Sequence, residues 1–156
     1  MTRDVLYHDE AVRQTNEQCE TRRHFDSVAV QTLGFSAVIF SFLLLSKWQF
    51  IAFQLYFFVS SLFFFLLVAI STILALQLRK WEITPPLSSL YKHIESLDYN
   101  DEALTLWIGQ CLSDSIENND KQLDSKAGYL KYAYIFLGLE VVSIGVVILS
   151  SFFYHA

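Results

Sequence analysis

Three apolar runs, Val28 to Ser46, Phe50 to Leu78 and Tyr129 to Phe153, leave this chain few ways to fold. A helix rises about 1.5 Å per residue, so about 20 apolar residues cross the roughly 30 Å hydrocarbon layer of a bilayer, and each run is long enough. The first two carry no formal charge. A core helix of a water-soluble domain would show a polar face every three or four residues. Here Phe57, Phe58, Leu62, Phe63, Phe64, Phe65, Leu66 and Leu67 cover every side of theirs. The expected fold class is all-α: an integral membrane helical bundle with three transmembrane helices, 28–46, 50–78 and 128–153, and a small helical cytoplasmic layer from residues 5–27 and 82–126.

Lysine and arginine positions orient such a bundle, because basic residues in short loops beside spans stay cytoplasmic. Arg3, Arg13, Arg22 and Arg23 precede the first span, and Arg79, Lys80, Lys92, Lys121, Lys126 and Lys131 lie between the second and third or just inside the third. Of the 11 basic residues, Lys47 alone falls in the first hairpin turn. The amino terminus and central segment are therefore expected inside the cell membrane, with the Lys47 turn and Tyr154-His155-Ala156 outside. Trp48 and Trp81 suit the two interfaces at opposite ends of the second span, since an indole has an apolar body and one N–H that prefers water. The charged stretch Thr2 to Ser27 is longer than the short basic segment of a signal peptide, so the first span is expected to remain as an uncleaved anchor.

With 53% hydrophobic residues and nearly half the chain in spans, little is left for a soluble catalytic domain, and one compact unit is expected. The net charge of −5 disfavours nucleic acid, whose phosphates need a basic surface. Cys19 and Cys111 fall in segments expected to be cytoplasmic, where thiols stay reduced. His8, His24, His93 and His155 are dispersed, and neither they nor the cysteines have zinc-ligand spacing. Gly-rich phosphate loops, Gly-x-Ser-x-Gly, His-Glu-x-x-His and Cys-x-x-Cys are absent from a sequence with 5 glycines, so neither catalysis nor a cofactor is expected.

Asp9 to Asp26 lacks Gly and Pro and can run as a helix into the first span, with a weak stripe at Val12, Thr15 or Asn16, Cys19 and Arg23. Pro85-Pro86 stops the second helix, since proline cannot donate to the helix ladder and restricts its predecessor. Leu87, Leu90, Tyr91, Ile94 and Leu97 then mark a short amphipathic helix, and Asp98 to Asp101 a capped turn. From there Leu104, Ile108, Cys111 or Leu112, Ser115 or Ile116, Asn119 and Leu123 draw an apolar stripe that needs a cover. The cover is either the first helix or the same stripe of another subunit.

Two features are candidates for function. Glu140 sits near the centre of the third span, where a carboxylate costs at least ~2.5 kcal/mol on insertion scales. It is expected to face a lumen or an oligomer contact, or to stay neutral against Gln31, Gln54 or Ser143; Gly138, Gly145 and Ser143 offer small surfaces for close helix approach. The second is an echo: Phe25-Asp26-Ser27-Val28-Ala29 enters the first span and Leu123-Asp124-Ser125-Lys126-Ala127 the third. Asp26, Asp124 and their serines can hydrogen-bond at a helix entrance, while Lys126 can snorkel toward headgroups.

The stretch Phe25-Asp26-Ser27-Val28-Ala29, with Val28 where the pattern has Lys, and the stretch Asn118-Asn119-Asp120-Lys121 through Lys126 resemble those of small prokaryotic membrane effectors, the Pycsar membrane-effector family and the related SLATT families. The resemblance lies in the layout of most of the chain. It implies a resting protein that senses a cyclic nucleotide or a partner protein and then oligomerises to perturb the membrane in antiphage defence. The expectation is a non-catalytic, self-associating membrane effector whose partners are the lipid bilayer and further copies of itself. The alternative is an accessory or structural subunit of a transporter or channel complex, since three spans are few for a monomeric conduit.

Overall fold

The computed structural model describes residues 3–45, 52–77 and 101–155, and all of these are α-helical. Helix α1 is Arg3–Leu45, α2 is Ala52–Gln77 and α3 is Asp101–His155. Three of the helices are thus long and apolar enough to span a membrane, and no strand occurs among the described residues. The Lys47 turn, Trp48, Trp81, Pro85-Pro86, the 87–97 helix with His93, the start of the following turn and Ala156 lie outside the described residues.

Helix α1 joins the polar stretch to the first apolar run without interruption, as a segment free of proline allows. Helix α3 does the same for the stripe beginning at Leu104 and the third apolar run, and it passes Gly128, Gly138 and Gly145 unbroken. At 55 residues it is far longer than the roughly 20 that cross a bilayer, so part of it must lie outside the hydrocarbon. Glycine costs an exposed helix about 1 kcal/mol relative to alanine, a small loss against so many continuous backbone hydrogen bonds.

The chain divides into two compact units. The first contains residues 3–24 of α1 and 101–124 of α3. Among its described residues, Ala11, Thr15 and Gln18 from α1 and Gly109, Leu112, Ser115 and Asn119 from α3 are buried. Gln18 Nε2 donates to the Ile116 carbonyl at 3.0 Å and to Asp120 Oδ1 at 2.6 Å, so the α3 stripe is met by α1. Of the stripe expected on α1, Thr15 is buried and Cys19 half-buried, but Val12 and Arg23 are exposed, and Ala11 and Gln18 turn inward instead. Leu104, Ile108 and Ile116 are half-buried, and Leu112 is fully covered.

The second unit contains residues 25–45 of α1, all of α2 and 125–155 of α3. Two clusters give its topology. Phe40, Leu43, Ile144 and Val147 pack together with Phe57, Phe58 and Phe65, and the rings of Phe40 and Phe65 stack at 4.9 Å. Ala29, Ala75 and Leu130 form the other cluster. Positions on α1 and α3 rise together from one cluster to the other while those on α2 fall, so α1 and α3 run parallel and α2 is antiparallel to both.

Each helix of this unit buries a line of every seventh residue: Ala29, Ser36 and Leu43; Gln54, Ser61, Val68 and Ala75; Lys126, Ala133, Glu140 and Val147. A seven-residue period keeps one face of a 3.6-residue helix on its neighbours only if the helices wind left-handedly about each other. The lines are rich in Ala, Ser and other small or polar residues, which let backbones approach where lipid supplies no hydrophobic drive. The outer surface is the reverse: Phe35, Phe42, Tyr56, Phe63, Val142 and Leu149 are among many large apolar side chains left exposed, Phe42 at 70%. Small and polar residues mixed into the interior, with large apolar side chains outside, fit a bundle solvated by lipid, and the protein is a membrane protein.

Candidate functional site

The buried polar groups of the membrane unit form the candidate site. Most of its serines and threonines are satisfied by their own helix: Thr32, Thr72 and Ser143 donate to the carbonyls of Val28, Val68 and Leu139, one turn back. Ser36 departs from this habit. Its hydroxyl donates across to Glu140 Oε2 at 2.5 Å, linking α1 to α3. Glu140 is 0% exposed, and its second oxygen, Oε1, has no hydrogen-bond partner. Ser61 Oγ on α2 is likewise buried without one.

The partners expected for Glu140 are engaged elsewhere. Gln31 is exposed and donates to Ser27 Oγ at 3.2 Å, one turn back on its own helix. Gln54 is buried but donates to Ser150 Oγ at 3.2 Å, beyond Val147 on α3. Ten residues make about 15 Å of helix, so a residue at the level of Ser150 cannot reach Glu140. Ser36 escaped notice in the sequence as an ordinary small residue of an apolar run; the legible signal was its seven-residue spacing from Ala29 and Leu43.

Lys126 also departs from expectation. It does not snorkel outward: it is 2% exposed and its Nζ donates to Asp26 Oδ1 on α1. The seven-residue register puts Lys126 on the buried line with Ala133 and Glu140, and Asp26, 37% exposed, neutralises it from the rim. The two echoing entrances are therefore unlike in role, the acid of the first serving the base of the second. Asp124, in the first unit, is exposed. Gly34, Gly128, Gly138 and Gly145 mark no close approach within the chain, since a Cβ at any of them would meet nothing within 4 Å.

In the first unit the charges lie at the surface. Arg13 donates to both Glu10 oxygens and to Glu17. Hydrogen bonds from Arg13 and Gln14 hold the Glu10 carboxyl down at about 2, and Glu10 pushes the Arg13 guanidinium up. The Lys121 ammonium, 2.7 Å away, lowers the Glu117 carboxyl. Burial, with the Asp114 charge, pushes up the Cys111 thiol, and Cys19 and Cys111 are both unbridged. Among the described residues no three His, Cys, Asp or Glu side chains gather as a metal would require. No protein-family model, curated protein or solved structure matches the chain.

Proposed function

We propose that this chain is a non-catalytic multi-pass effector of the cell membrane, amino terminus inside and carboxyl terminus outside, that self-associates on receiving a cyclic nucleotide or a partner protein and then perturbs the bilayer in antiphage defence. Glu140 carries the proposal. A buried polar atom left without a partner costs about 1–3 kcal/mol, and an acid in the middle of a span costs more. An apolar residue of similar size would make a more stable bundle, so the acid is retained for a second arrangement. Self-association supplies that arrangement: the polar lines of several copies, Ser36, Ser61 and Glu140 among them, can border one wet path, which a three-helix monomer is too small to enclose.

The test is dye release from vesicles carrying the purified protein, with native mass spectrometry of the same protein in nanodiscs, with and without a panel of cyclic nucleotides. The effector predicts a nucleotide-dependent rise in mass accompanied by leakage, and Glu140→Gln inserts normally but leaks at least tenfold more slowly. Constant mass and tight vesicles would support the accessory-subunit alternative.

A further inference from the structure

The first unit carries a groove of about 400 Å³ whose walls include Arg13, Glu17, Gln18, Ile116, Asp120 and Leu123. Its chemistry is one-sided. Arg13 is the basic wall residue, and its charge is already paired with two carboxylates, through hydrogen bonds to Glu10 and Glu17. Two carboxylates, Glu17 and Asp120, stand on the exposed walls, and Ile116 and Leu123 are half-buried.

Gln18 provides the second, independent observation. It is 8% exposed, and Nε2 gives its hydrogens to the Ile116 carbonyl and the Asp120 carboxylate. Both partners are acceptors, so the amide cannot be turned round, and Oε1 is fixed as an acceptor. That Oε1 is buried and accepts no hydrogen bond. What this oxygen lacks is a donor. An anion would meet two carboxylates and an occupied arginine, so the groove does not suit the phosphate of a cyclic nucleotide.

We infer that this groove binds an alkyl-guanidinium or alkyl-ammonium group, its stem on Ile116 and Leu123 and its N–H donors on Asp120, Glu17 and Gln18. Such a group exists on small diffusible amines and on arginine or lysine side chains of proteins. As the input to the effector proposed above the inference rests on that reading, but the binding itself does not.

The test is methyl NMR of Ile116 and Leu123 in the full-length protein in nanodiscs, titrated with n-butylguanidinium chloride, with a short blocked peptide containing one arginine, and with cyclic AMP at matched ionic strength. Saturable shifts with butylguanidinium are expected, weakened at least tenfold by Asp120→Asn and by Glu17→Gln, with circular dichroism of each variant checking that its helices are kept. Binding of the free cation as tightly as the peptide identifies a small-amine source, and tighter binding of the peptide identifies a protein side chain. Absence of saturable shifts with either cation, shifts indifferent to both variants, or tighter binding of cyclic AMP would overturn the inference. Because vesicle leakage plays no part in this readout, failure of the effector function leaves the binding result standing, and the reverse.

Discussion

Removing the two members of the Asp26–Lys126 pair one at a time should have very unequal effects. Asp26→Ala strands an ammonium that is 2% exposed. Breaking a buried pair in this way costs ~3–5 kcal/mol, and because Asp26 is itself 37% exposed, water already screens part of the interaction. The lower end, about 3 kcal/mol or roughly a hundredfold in the folding equilibrium, is therefore expected. Lys126→Met removes the charge and keeps most of the stem, leaving a carboxylate that reaches water, so its cost should stay below ~1 kcal/mol. The double variant should resemble Lys126→Met alone, giving a coupling of about 3 kcal/mol. Steric trapping of the protein in bicelles measures all four free energies. Equal costs for the two single variants, or a larger one for Lys126→Met, would show that Lys126 is solvated and that the buried line does not include it.

Ser61→Ala deletes a buried hydroxyl without a partner and should stabilise the bundle by about 1 kcal/mol in the same assay; a loss of that size would mean the hydroxyl is bonded. Gly34→Ala and Gly138→Ala, whose new methyls meet nothing within the chain, should stabilise a monomer by roughly 0.5–1 kcal/mol each, whereas if either glycine lies between copies the oligomer seen by native mass spectrometry should weaken instead. The Glu10 carboxyl, depressed from 4.5 to about 2, adds stability that is present above pH 4.5 and fades as pH falls toward 2. Glu10 is fully exposed, so a carbon-13 titration should find its midpoint well below 4.5 at low salt and near 4.5 in Arg13→Ala or in about 1 M salt; a midpoint near 4.5 at low salt would show the pair is not populated.

The spans and the all-helical class were legible because apolar length is a signal that no tertiary contact overrides. The interior of the bundle was harder to read. Rules for soluble helices look for leucine-like residues on the inner face, whereas here Leu43, Val68 and Val147 share that face with Ala29, Ser36, Ser61, Ala75, Ala133 and Glu140, and Phe35, Phe63 and Val142 turn outward. Lipid weakens the contrast, and a search for small or polar residues at seven-residue spacing would have found Ala29 with Ser36, Gln54 with Ser61, and Ala133 with Glu140. Glu140 stood out by its charge, but Ser36 could be assigned to it only by the parallel register of α1 and α3, which comes from long-range packing. Lys126 was misjudged for the same reason: snorkelling suits a lysine on the lipid face, and its face depends on a register that single-helix patterns leave open.

Spin-label accessibility in nanodiscs tests the inverted bundle most directly. With Cys19 and Cys111 replaced by serine, labels introduced at Phe63 and Val142 report whether those faces meet lipid or water. High collision rates with oxygen and low rates with a water-soluble nickel chelate at both positions are predicted. High nickel rates at either would place that face in water and contradict a lipid-solvated bundle with a polar core.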